Sequence, residues 1–263
     1  MPFINIGDIQ IYYSITGSGD RLLLFPDNHL SSLAYQSEID YFSNRFEVIA
    51  FDYPSTGKST HEVRYPDERE VDYWGFRADL ACHLLIELDI KRCFALGVGG
   101  GALAALHFAG KQAPQHKINL QGLILDSFLA NWDTRTLHRW LDIREHFYVR
   151  NDKALQEQHG EDWRQVLDED TCFLRQLADR GGYAVPNHII NAIGCPTLLT
   201  GCLQDSILPG LAGEYARISG LIPDCSLFLA AKANHPYLER PFMWTDPESF
   251  QTVASLFFNK FIN

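Results

Sequence analysis

The chain has 263 residues, 46% of them hydrophobic and 21% charged, with a net charge of −11. That length suits one large domain with a sizeable core, and acids spread along the chain argue against nucleic acid or an anionic membrane as partner. Six cysteines (Cys82, Cys93, Cys172, Cys195, Cys202, Cys225) form no C-x-x-C pair, the first residues carry no signal-peptide pattern, and no stretch approaches a membrane span; a reduced, cytoplasmic protein without metal or cofactor is expected.

Residues 3–15 alternate as two short strands around Gly7-Asp8. Arg21-Leu-Leu-Leu-Phe25, stopped by Pro26, reads as a strand buried on both faces. A helix over 32–42 leads to a second buried strand, Phe46–Asp52, and Pro54-Ser-Thr-Gly57 turns the chain. Residues 70–88 have helical spacing, then come a strand ending at Leu96, a helix over 100–109 and a strand over 120–126. Strands alternating with helices at this spacing predict a parallel sheet covered on both faces. The rhythm stops near residue 129 and resumes near Pro196. Between them Trp132, Trp140, Phe147 and Tyr148 mark aromatic helices, read as a helical cap over about 129–190 inserted in the same domain. Strand 197–201, a helix over 209–219, strand 225–230 and a last helix over 247–260 follow.

The chemistry centres on Gly97-Val-Gly-Gly-Gly101, where an apolar strand breaks into a helix. This is the shape of a nucleophile elbow, G-x-S-x-G, with Gly99 in place of the serine. The same stretch also fits G-x-G-x-x-A through Ala102, but a dinucleotide fingerprint opens its sheet, and several strands precede this one. Thr56-Gly-Lys-Ser59 lacks the first glycine of a phosphate-binding loop.

With its alternating strands, elbow and inserted helices, the chain resembles the α/β-hydrolase fold family. The resemblance implies a triad in the order nucleophile, acid, histidine, which falls on Gly99, Asp205 and His235, with Asp126 as a weaker alternative acid. It implies oxyanion-hole amides at Asn28 and Gly100, and Asp52-Tyr-Pro-Ser-Thr-Gly-Lys-Ser59 is similar to the family's D-x-x-G-x-G-x-S turn, with Ser55 for its first glycine. Two parts depart from the pattern. The serine is missing, and Pro26-Asp27 replaces His-Gly after the third strand. Asp27 would repel a developing oxyanion unless turned away; alternatively, Asp27 and Asn28 only form a turn.

The expected ligand is a small, largely apolar ester, lactone, amide or acyl compound, bound against Val98, Trp132, Trp140, Phe147 and Tyr148. Whether the chain acts on it, binds it without catalysis, or uses His235 in cofactor-free acid–base chemistry stays open, as does homo-oligomerisation.

Overall fold

The computed structural model describes residues 2–61, 72–205, 207–231 and 247–262; the side chains of Glu145, Phe147 and Pro247 lie outside that description. The strands are β1 (Phe3–Ile6), β2 (Ile9–Gly17), β3 (Asp20–Phe25), β4 (Phe46–Phe51), β5 (Arg92–Val98), β6 (Asn119–Asp126), β7 (Asn131–Asp133), β8 (Gly182–Ala184), β9 (Thr197–Cys202) and β10 (Cys225–Ala230). The α-helices are α1 (Gln36–Phe42), α2 (Tyr73–Glu87), α3 (Gly100–His107), α4 (Ala113–Gln115), α5 (Thr134–Arg150), α6 (Asp152–His159), α7 (Trp163–Asp179), α8 (Asn187–Asn191), α9 (Leu211–Ser219) and α10 (Pro247–Phe258).

Eight strands form one sheet in the order β1-β2-β4-β3-β5-β6-β9-β10. The β1–β2 and β2–β4 pairings are antiparallel and the remaining pairings parallel. Apolar runs such as Leu22-Leu-Leu-Phe25 are buried because helices lie on both faces. Beneath the sheet, Phe42, Phe46, Phe94 and Phe258 meet edge to face, with ring centroids 5.1–6.2 Å apart.

The expected elements are present, with their ends shifted by a few residues. The helix expected over 70–88 is described from Tyr73, and that expected over 100–109 passes at Phe108 into a π turn leading to α4. The two-stranded sheet of β7 and β8 was not expected from the sequence. Its strands are three residues each, too short to show an alternation. They bracket helices α5, α6 and α7, which lie in sequence between β6 and β9.

The topology fixes where a ligand can sit. From β3 the chain moves to β4 on one side, then crosses to β5 on the other. At such a reversal the loops leaving the two central strands diverge and open a crevice beyond their carboxyl ends. Phe25 pairs with Gly97, so the loop after β3 and the turn after β5 emerge side by side.

Candidate active site

Gly99 is the residue between β5 and α3, with φ +57° and ψ −122°. That backbone is strained for any residue with a Cβ and easy for glycine. Its N–H donates to the Asp126 carbonyl at 3.0 Å, which ties the turn to β6. Gly101 serves a different need: a Cβ there would lie 2.2 Å from the Phe25 carbonyl oxygen, so α3 approaches β3 closely only without one.

Opposite Gly99 stands Asp27. A Cβ built on Gly99 would come within 2.7 Å of the Asp27 Cγ and Oδ2. Asp27 Oδ1 accepts the Gly100 N–H at 2.6 Å and the Asn28 N–H at 2.7 Å. The two amides expected to hold an oxyanion therefore converge on one oxygen of the protein's own carboxylate. Asp27 is turned inward, not away. Its position has a physical reason: the absent side chain at residue 99 leaves the space, and the first N–H groups of α3 favour a negative charge.

The loop carrying Asp27 is pinned from several sides. Its own N–H donates to Tyr35 Oη at 2.8 Å, and burial together with the Asp27 charge raises the Tyr35 phenol well above its ordinary value. Asn28 Oδ1 accepts from Trp74 Nε1 at 3.0 Å and Arg77 Nη1 at 3.3 Å, while Arg77 Nη2 donates to the Asn28 carbonyl at 2.8 Å and to Tyr73 Oη. The Arg77 guanidinium lies 4.2 Å from the ring centroids of both Tyr53 and Tyr73. Sequence reasoning missed Trp74 and Arg77 as parts of this site. The signal for Arg77 was an arginine on an apolar helical face, between Trp74 and Ala78.

Two acids end neighbouring strands. Asp126, the last residue of β6, accepts from Thr200 Oγ1 at 2.6 Å. Asp205, in the loop after β9, accepts the N–H groups of Ile207 and Leu208 at 2.8 and 2.7 Å, which folds that loop back toward the crevice. Burial and the charges of both acids push the Cys202 thiol up to about 12. His235 lies outside the described residues. Asp52 organises the expected turn: its carboxylate takes the N–H groups of Ser32 and Lys58 at 2.7 and 2.8 Å, and Ser55 adopts φ +63° where the family has glycine.

A cavity of about 40 Å³ lies above Gly99, walled by Asp27, Trp74, Trp132, Trp140, Leu174 and Ile207 among others. Trp132, Trp140, Asn28 and Gly100 also line this cavity. Two residues expected at this wall are elsewhere. Val98 is buried in β5, paired with Asp126, and Tyr148 packs 5.1 Å from the Arg144 guanidinium and 5.7 Å from the His29 ring. The Phe147 side chain is outside the description. In α5, Tyr148 lies on a polar interior: Arg144 donates to Asp170 at 2.6 Å, and His29 stands 3.7 Å from the same carboxylate oxygen. Burial, then the Arg144 charge, holds the His29 imidazole well below its ordinary value. A second cavity of about 260 Å³ also touches Asn28 and is lined by Tyr73 and Arg77 of α2 and Asp170 and Phe173 of α7 among others.

Comparison with known proteins agrees with the topology. The model of the alpha/beta hydrolase family matches residues 22–248. An enol-lactonase from Burkholderia xenovorans LB400 superposes with a TM-score of 0.67 at 16% identity, over 98% of this chain and 100% of that one. A thermophilic esterase from Thermogutta terrifontis gives a TM-score of 0.69 at 20% identity, over 97% and 95%. A meta-cleavage product hydrolase from Pseudomonas fluorescens IP01 gives 0.67 at 17% identity, over 96% and 95%. No curated protein sequence matches the chain. At these identities the solved structures speak for the fold alone, while the family model spans most of the chain: with its central parallel strands and the crevice where their order reverses, the protein belongs to the alpha/beta hydrolase family.

Proposed function

We propose that the chain takes a small, largely apolar ester, lactone, amide or related compound into the crevice above Gly99 and does not carry out serine-type acyl transfer on it. One observation carries this reading: Asp27 Oδ1 sits on the Asn28 and Gly100 amides, opposite a residue 99 that has no side chain. Acyl transfer needs a nucleophilic oxygen and donors open to the substrate's carbonyl oxygen. Gly99 supplies no oxygen, and the donors already hold an anion. The apolar walls offered by Trp132, Trp140 and Leu174 support an apolar ligand, and the segment over 129–190 acts in this reading as its cap. Asp205 and His235 remain the acid and base of the site. Six free cysteines fit a reducing, cytoplasmic setting, and no described helix is long and apolar enough to cross a membrane.

The test uses a fluorophosphonate probe and 4-nitrophenyl acetate. The unmodified protein is expected to stay unlabelled at residue 99, with esterolysis no more than about 10³–10⁴ over water. Gly99→Ser alone is expected to remain unlabelled, because its Cβ meets Asp27, whereas Gly99→Ser with Asp27→Gly gains labelling. Esterase turnover by the unmodified protein at the level of a serine esterase overturns the proposal.

A further inference from the structure

Helix α7 carries Val166, Asp170 and Phe173 at helical spacing, so its buried stripe includes a carboxylate. The Asp170 side chain is only 5% exposed. Its Oδ2 accepts from Arg144 Nη2 at 2.6 Å, while its Oδ1 is buried and has no hydrogen-bond partner among the described residues. An unpaired buried carboxylate oxygen is costly, and such atoms are ordinarily met by a donor from protein, water or ligand.

Asp170 lines the cavity of about 260 Å³. Elsewhere on its wall the polar groups serve the protein itself: Arg77 Nη1 and Nη2 donate to Asn28 and Tyr73, and Ser55 Oγ and Thr56 Oγ1 donate to the His61 and Tyr53 carbonyls. Val166 and Phe173, the latter stacked on Tyr73 at 3.9 Å, supply apolar surface. Glu169, Cys172 and Gln176 line it as well and are exposed, which puts them at its mouth. Among the described residues, Asn28 is the one that lines both this cavity and the cavity above Gly99. Trp74, on the wall of the smaller cavity, meets Phe173, on the wall of the larger, edge to face at 5.6 Å.

We propose that this larger cavity is a second ligand site, for a small neutral phenol or aromatic alcohol whose hydroxyl donates to Asp170 Oδ1 and whose ring packs against Phe173 and Val166. It holds whatever occupies the crevice above Gly99. Three physical points select the ligand class. The first is the donor: a hydroxyl gives the remaining oxygen a charge-assisted hydrogen bond and leaves the Arg144–Asp170 pair intact. The second is neutrality. An anion would meet Asp170 and Glu169, and a cation would meet Arg77 and the Arg144 held on Asp170. The third is size and surface. A dry cavity of about 150 Å³ already admits benzene, so about 260 Å³ with aromatic walls suits one substituted ring.

The experiment titrates the unmodified protein with phenol, fluorobenzene and benzoate, reads binding by ligand-observed NMR, and follows iodoacetamide alkylation of Cys172 by peptide mass. Fluorobenzene keeps nearly the shape of phenol without its donor, and benzoate carries the charge that the wall rejects. Phenol is expected to bind with a Kd on the order of 1 mM, about tenfold or more tighter than fluorobenzene, and benzoate is expected not to bind. Alkylation of Cys172 at the mouth is expected to slow in proportion to phenol occupancy, while Cys225 on β10 keeps its rate. Arg144→Met with Asp170→Leu removes the acceptor without stranding a charge, and is expected to bind phenol and fluorobenzene alike. Equal affinity of the unmodified protein for those two compounds overturns the proposal, as does a preference for phenol that survives in the double variant. Phenol binding that leaves Cys172 at its free rate places the ligand elsewhere and overturns the site. Absence of phenol binding up to about 10 mM also overturns it, with water then the partner of the buried oxygen.

Discussion

A Cβ at residue 99 has nowhere to go. It would require an unfavourable φ of +57° and would press on the Asp27 carboxyl at 2.7 Å. Gly99→Ala is therefore expected to lower unfolding free energy by about 2–4 kcal/mol, through backbone strain and overpacking together. Pairing it with Asp27→Gly removes the contact but not the strain, so chemical denaturation of the four species is expected to give a favourable coupling of about 1 kcal/mol or more. Additive losses would show that the two residues do not compete for one volume. Arg77 stands at the other end of the same loop. Replacing it with methionine keeps much of its bulk but removes the donors to the Asn28 side chain and carbonyl. A loss of about 1–3 kcal/mol is expected by urea unfolding, since the buried Asn28 carbonyl then loses its donor while Trp74 Nε1 still serves Oδ1.

At the scale of elements, α5 and α7 are joined through their interior by charge as well as by apolar packing. Arg144 and Asp170 form a 2.6 Å pair, with side chains 1% and 5% exposed. Removing one partner strands a buried charge, so Asp170→Asn is expected to cost about 3–5 kcal/mol. Arg144→Met with Asp170→Leu is expected to cost much less than Asp170→Asn, because no uncompensated ion remains. Thermal unfolding of the three proteins checks the order; an exposed pair would instead show losses below about 1 kcal/mol. The strands were the most legible elements, since apolar runs such as Leu22–Phe25 and Leu123–Leu125 end at Pro26 and Asp126. Helix ends were less so, because the helical path from α3 runs on in a π turn from Phe108 through Gly110, the residue that reads locally as its end. The β7–β8 pair escaped notice because pairing between residues 131–133 and 182–184 leaves no local pattern.

Across the whole molecule, two buried histidines link helices α5, α6 and α7 to the loops of the sheet. His159 at the end of α6 accepts the Gly57 N–H through Nδ1 at 2.9 Å, and burial lowers its imidazole from 6.5 to about 4. His29 is lowered in the same direction. Neutral in the folded state, these groups leave stability unchanged above pH 6.5. Below it the unfolded chain gains protons first, so stability falls as pH drops from 6.5 toward 4, by on the order of 3 kcal/mol for His159. His159→Gln is expected to flatten that slope in urea titrations at several pH values, and an unchanged slope would place the acid sensitivity elsewhere.

The sequence by itself determined the fold class and the order of strands and helices along the chain, because these are written in local periodicity. It also marked Asn28 and Gly100 as neighbours of the site. The direction of the Asp27 side chain was decided only by the tertiary structure. A turn-forming aspartate and an aspartate seated on two amides have the same local sequence. What separates them is that β3 pairs with β5 in the register that sets Phe25 against Gly97, and so brings a carboxylate from one loop to the open space left in another.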